Sequence, residues 1–225
     1  MPPISMGGYM DPHLRIISMM TKAERIKASI QATRERRKFQ RPMVIELKLQ
    51  NLSRKQEADL NRAFLETKWL YNWLLEDTEH RLSASRREHH QEAVDKVKEV
   101  PVKVGKTFET RKLHLLGSQI KQEIKDRLKD NLRSLAQLKA KSLRVGKLKF
   151  KPFVNSIPLK QYGVTYGLDL ERNRVRIQRL GSFRVLGLHQ IPPGAEMANA
   201  FKVRPSGVTL VRKPSGYYLH VVVYV

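Results

Sequence analysis

Along this chain the hydrophobic period switches from two to about 3.6 and then back to two, which limits the fold to two blocks of strands with helices between them. Residues 43–49, MVIELKL, set Ile45, Leu47 and Leu49 against Val44, Glu46 and Lys48. That alternation predicts a short amphipathic strand with one face in a core. Ser53 and Gln56 then make a capping-box pattern. Leu60, Phe64, Tyr71, Leu74 and Leu75 recur at helical spacing, and Trp69 and Trp73 broaden the stripe. These residues predict a helix over 53–82 whose aromatics pack a core. A second helical stretch, over 112–140, carries the stripe Ile120, Ile124, Leu128, Leu132, Leu135 and Leu138.

Alternation returns from about residue 145. There VGKLKFKP sets Lys147, Lys149 and Lys151 against Leu148 and Phe150, predicting a strand with one basic and one apolar face. VTYGLDLERNRVRIQRL reads as a hairpin, with Asn173 suited to a turn position of positive φ. On its return strand Arg174, Arg176 and Gln178 share one face, and Val175 and Ile177 the other. Gly181, Gly187, Pro192, Pro193 and Gly194 predict loops. VTLVRKPSGYYLHVVVYV predicts a strand, a Pro-Ser-Gly turn and a final apolar strand. YYLHVVVYV is apolar enough to want neighbours on both faces, as core strands of parallel sheets do. The chain is therefore expected to continue into a further domain or to meet a partner there.

The predicted fold class is α+β. A small β-barrel of the oligonucleotide-binding kind is expected from residues 43–50 and 145–225, with a helical domain, 51–144, inserted after its first strand. Residues 21–42 predict a basic helix or arm, capped by Thr21 with Glu24 and closed by Pro42. Residues 1–20 are expected to be a disordered leader, with Met19 as an alternative start. They lack the basic region and apolar run of a signal peptide.

Charge constrains the function. The 225 residues carry 44 Lys+Arg against 21 Asp+Glu, a formal net charge of +23. Self-repulsion of that size calls for a polyanion, and nucleic acid is the default one, because neutralised phosphates release counterions. An anionic membrane surface fits less well, since the charge is spread along the chain rather than gathered on one amphipathic helix. No apolar run is long enough to span a bilayer. Arg34, Arg36, Arg37, Lys38 and Arg41 surround the lone aromatic Phe39 and read as an arm on a phosphate backbone. Lys121, Lys125, Lys129 and Arg133 lie four apart beside the second apolar stripe, and read equally as a phosphate-facing stripe or a solvated face.

Catalytic chemistry is not evident in these residues. The absence of cysteine removes disulfides, thiolate zinc sites and a thiol nucleophile, and fits a reducing cytosol. The adjacent pair His89 and His90 cannot share a helix face, so no metal is expected. A two-metal nuclease needs several converging carboxylates. Asp169, at the end of an apolar strand, is the one candidate, but a turn follows at once and it reads as structural. Walker and dinucleotide loops and nucleophile elbows are absent as well.

The order of these segments carries a resemblance. VIELKL, then Leu52-Ser53 with Gln56, then Trp69-Leu-Tyr-Asn-Trp-Leu-Leu75, a basic helical stretch, LKFK and a Ser-Gly-Tyr-Tyr hairpin into VVVYV follow one another. Over most of residues 20–225 this resembles the N-terminal half of TnpB, the transposon-encoded RNA-guided nuclease, and of the related type V CRISPR effectors. The resemblance implies that the β-rich part is a wedge domain gripping guide RNA and that the helical insert is a recognition lobe. Together they would read a short motif beside target DNA and cradle the heteroduplex, acting in a prokaryotic cytosol at the nucleoid. Lys147, Lys149, Lys151, Arg174 and Arg176 would face RNA phosphates, and the arm and the Lys121–Arg133 stripe the duplex. The family's RuvC domain, with its magnesium-binding carboxylates, follows the hairpin that closes this sequence. The residues present are thus expected to bind without cutting, with no cofactor of their own. A gene fragment, a split protein whose nuclease is a second chain, and a natural non-cleaving derivative, a homodimer among them, are the competing explanations. A stand-alone basic RNA-binding protein is the remoter alternative.

Overall fold

A computed structural model describes residues 21–83, 94–159, 161–197 and 208–225. The predicted leader and the pair His89 and His90 lie outside the described residues. The chain divides into two units, Met1–Arg41 and Pro42–Val225.

In the first unit, helix α1 spans Lys22–Arg37. Its capping box is formed: the Thr21 N–H donates to Glu24 Oε2 at 2.7 Å, and the Glu24 N–H donates to Thr21 Oγ1 at 3.3 Å.

In the second unit, strand β1 (Pro42–Gln50) is followed by helix α2 (Arg54–Ser83), a hairpin of β2 (Glu99–Val104) and β3 (Thr107–Lys112), and helix α3 (Ser118–Ala140). Then come β4 (Ser156–Leu159), β5 (Tyr166–Asp169), β6 (Arg174–Ile177), β7 (Gly181–Leu186), the short β8 (Glu196–Met197), β9 (Val208–Lys213) and β10 (Gly216–Tyr224). The main sheet runs β4-β9-β10-β1-β7-β6-β5, every neighbour antiparallel, with β8 also on β10.

The fold is α+β, but the expected barrel is an open sheet whose edges are β4 and β5. β1 changes partner along its length. Pro42–Lys48 pairs with β10 on one side, and Lys48–Gln50 pairs with β7 on the other. Between β4 and β5 the chain folds on itself: the Thr165 N–H donates to the Gln161 carbonyl at 2.9 Å, and the Gly163 N–H to the Tyr166 carbonyl at 2.7 Å. Neither edge strand is paired with the other.

Several local expectations are corrected. VGKLKFK is not a strand, and the strand of this region is Ser156–Leu159. Residues 181–186, expected as loop, form β7. The polar stretch before the second helix contains the β2–β3 hairpin, so that helix begins at Ser118 rather than 112. β10 is antiparallel on both edges, and its apolar character comes from a central position between β1 and β9.

Alternation places Ile45, Leu47, Leu49, Leu219, Val221 and Val223 on the sheet's inner face. They share one core with Leu60, Phe64 and Leu70 of α2 and Ile120, Ile124 and Leu128 of α3. Phe64 stacks on Tyr217 with ring centroids 6.2 Å apart, and the Tyr217 hydroxyl donates to Asn61 Oδ1 at 2.8 Å. The inserted segment therefore lies on the sheet.

Glu66 fastens the insert internally. It is fully buried, accepts the Leu115 N–H at 2.8 Å and pairs with Arg62 Nε at 3.2 Å. Arg62 is partly exposed and can turn to water, whereas the part-buried Leu115 N–H is left without its carboxylate acceptor. Glu66→Ala is therefore expected to cost about 1 to 2 kcal/mol in denaturant unfolding, the scale of a hydrogen bond to a buried charged group. Glu66→Gln, which keeps an acceptor, is expected to cost less.

Candidate nucleic-acid interface

The inner face of the sheet is covered, and its outer face carries charge. On β6, Arg174 and Arg176 are exposed while Val175 and Ile177 are buried, as the alternation predicts. Asn173, at φ 51°, makes the turn that brings β6 back beside β5. The Asp169 carboxylate accepts the Arg172 N–H at 3.0 Å and so closes that turn. Among the described residues, no three His, Asp or Glu side chains gather as a metal site.

β7 adds a third arginine. Arg184 stands directly opposite Arg174, and Ser182 opposite Arg176. The Arg174 guanidinium donates to Ser182 Oγ at 3.4 Å, and that of Arg176 donates to the Gly163 carbonyl at 3.1 Å. Like charges facing each other across a strand pair destabilise the sheet. Asp169 of β5 stands on the other side of Arg174, so Arg174, Arg176 and Arg184 face one carboxylate and keep an excess of positive charge that an anion relieves. Arg184 is hidden in the amino-acid order because the glycines on either side of residues 182–186 point to a loop. The alternation of Ser182, Arg184 and Leu186 with Phe183 and Val185 is the signal that marks it.

Further along this face Lys48 and Lys213 flank the Tyr218 ring, 5.8 and 4.8 Å from its centroid. Glu46 is paired with Lys213 and with His220, the latter at 2.8 Å. The Lys213 ammonium foremost, with His220, holds the Glu46 carboxyl below its ordinary range against the opposing effect of burial. This acid is neutralised locally and does not cancel the arginines.

The other predicted phosphate-facing residues fare differently. Lys147, Lys149 and Lys151 are exposed, but on an extended segment without strand partners. Asn72 of α2 takes up the backbone of Lys151: its Oδ1 accepts the N–H at 2.8 Å, and its Nδ2 donates to the carbonyl at 3.0 Å. The Lys151 ammonium lies 4.3 Å from the centroid of the Tyr71 ring.

On α3 the basic stripe is not one surface. Lys121 is only 4% exposed and donates to the Val97 carbonyl at 2.5 Å. Burial, and next the neighbouring Arg179, push its ammonium below the usual lysine range. Lys125 is half-buried, and Lys129 and Arg133 are exposed. Four-residue spacing advances about 40° around a helix at each step, so the stripe starts inside and winds out. Lys121 in this conformation cannot face a phosphate backbone. On and beyond α1, Arg34, Arg36, Lys38 and Arg41 are exposed, Lys38 pairs with Glu35 at 2.5 Å, and Arg37 is buried.

Among the described residues, no helix is long and apolar enough to cross a membrane. In comparisons with known proteins, no protein-family model and no curated protein matches this sequence.

Proposed function

We propose that this chain is an RNA-guided DNA-binding protein, holding a structured guide RNA and, through it, target DNA. The observation that carries nucleic-acid binding is the arginine face: Arg174, Arg176 and Arg184 project from adjacent strands of a sheet whose other side is packed in the core. Three guanidinium groups on a rigid platform suit the phosphates of a folded RNA, where geometry and charge are both read. The +23 net charge supports the same class of partner. The guide-RNA part rests on the order of segments shared with TnpB and the type V effectors. In that reading the sheet grips the RNA scaffold, and the exposed Lys129 and Arg133 with the basic residues after α1 meet the duplex.

The test is to purify the protein from its host and sequence the nucleic acid that accompanies it. One abundant non-coding RNA is the expected result. A random RNA population, or none, overturns the guide reading.

A further inference from the structure

The molecule has a second feature suited to nucleic acid, away from the arginine face. A cavity of about 440 Å³ opens between α2 and the β2–β3 hairpin. Trp69, Trp73, Phe108 and Phe150 line it, with Lys68, Lys103 and one acid, Glu76, beside them. Phe108 is 60% exposed and Phe150 52%, so two large aromatic rings stand in water at its mouth. Both tryptophans of the chain are here. Arg62 and Arg111 lie over the Trp69 ring, 4.6 and 5.9 Å from its centroid. Trp69 is thus engaged by guanidinium groups, and Trp73, half-buried, is the platform that remains.

Trp73 also borders a second hollow of about 1090 Å³, lined by Lys96, Lys98, Lys112, Lys121 and Arg179 against the acids Asp95 and Glu99. Two of its cations are held by backbone carbonyls: Lys121 by Val97, and Arg179 by His114 at 2.9 Å and Leu116 at 3.3 Å. Lys121 is enclosed, so the cations that an anion in the hollow can reach are the exposed Lys96, Lys98, Lys112 and Arg179.

We infer that this pair of cavities is a binding site for single-stranded nucleic acid, with one unstacked base seated against Trp73, Phe108 and Phe150 and its phosphates in the adjoining cationic hollow. The inference rests on the nucleic-acid reading above and adds a place where a base is taken out of its stack. Aromatic faces next to concentrated positive charge match a planar ring carrying a phosphate, and aromatic stacking tolerates any base. An apolar peptide would use the rings and leave the cations unmatched. RNA and DNA offer the same chemistry here, so the experiment uses both.

The full chain is titrated with oligo(U), oligo(A) and oligo(dT), following tryptophan emission and the anisotropy of a labelled strand. Emission is expected to be quenched with the midpoint given by anisotropy, and whichever of the RNA or DNA arms quenches more strongly identifies the source. Phe108→Ala and Phe150→Ala alter exposed side chains and leave the fold intact. Each is expected to weaken single-strand binding about 10-fold or more without changing its salt slope. Lys98→Ala with Lys112→Ala is expected to lower that slope. Trp73→Phe retains binding where Trp73→Leu loses it. If strands bind by anisotropy while emission stays constant and Phe108→Ala binds like the parent, the inference is overturned and the nucleic-acid reading stands. If neither single strands nor folded RNA bind, both fall.

Discussion

Replacing Arg174, Arg176 and Arg184 together by alanine is expected to reduce affinity for folded RNA roughly 100-fold near ~0.1 M salt, and to lower the slope of log K against log salt by about three. Each arginine that meets a phosphate releases close to one counterion, so the change in slope measures how many phosphates the arginines neutralise. The three side chains are exposed and their hydrogen bonds are peripheral, while removing the Arg174–Arg184 opposition relieves a like-charge pair. Arg174 also faces Asp169 across the β5–β6 pair, so the two effects offset and the triple variant should unfold close to the denaturant midpoint of the parent. An unchanged salt slope in a folded triple variant sinks the assignment of this face. The corresponding change at Lys121 is expected to act on stability, because that ammonium sits inside on the Val97 carbonyl.

Leu47→Ala is expected to destabilise the protein by about 3 kcal/mol, the usual cost of deleting a fully enclosed leucine. Leu47 is 0% exposed, faces Leu219 across the β1–β10 pair and lies against Gly187. Gly187 has φ 106°, and a side chain there would come within 3.1 Å of the Glu46 carbonyl, so the chain behind Leu47 has little room to settle into a cavity. β1 also joins the two halves of the sheet, β10 on one side and β7 on the other, so loosening it loosens the platform under the arginines. Val44→Ala on the same strand is the control: that side chain is 63% exposed, and its loss is expected to cost little. Equal denaturant midpoints for the two variants would contradict this account of the core.

Both expectations combine what periodicity reveals with what it does not. Alternation in MVIELKL marks Leu47 as inward and Val44 as outward, and the structure agrees. The same rule places Arg174 and Arg176 on one exposed face, with Asn173 at the turn. At VGKLKFK the rule misleads, because an extended chain with alternating residues becomes a strand only beside another strand. Here Asn72 satisfies the Lys151 backbone instead. At GSFRVL the flanking glycines outweigh the alternation, and Arg184 is hidden with it. On α3, counting by fours groups Lys121 with Arg133, although the first is enclosed by the segment around Val97 and the last is in solvent.

Local chemistry in the amino-acid order therefore suffices for the amphipathic strands, the two long helices, the final hairpin and the net positive charge. These depend on residues two to four positions apart, where side-chain direction follows from backbone geometry. The remainder depends on residues far apart along the chain. The open sheet follows from β1 exchanging β10 for β7 as its partner. The opposition of Arg174 to Arg184, the enclosure of Lys121 and the meeting of Trp73 with Phe108 and Phe150 arise the same way. Each is a matter of which surfaces cover which, and a periodic pattern records the side that is apolar without recording the neighbour that packs on it.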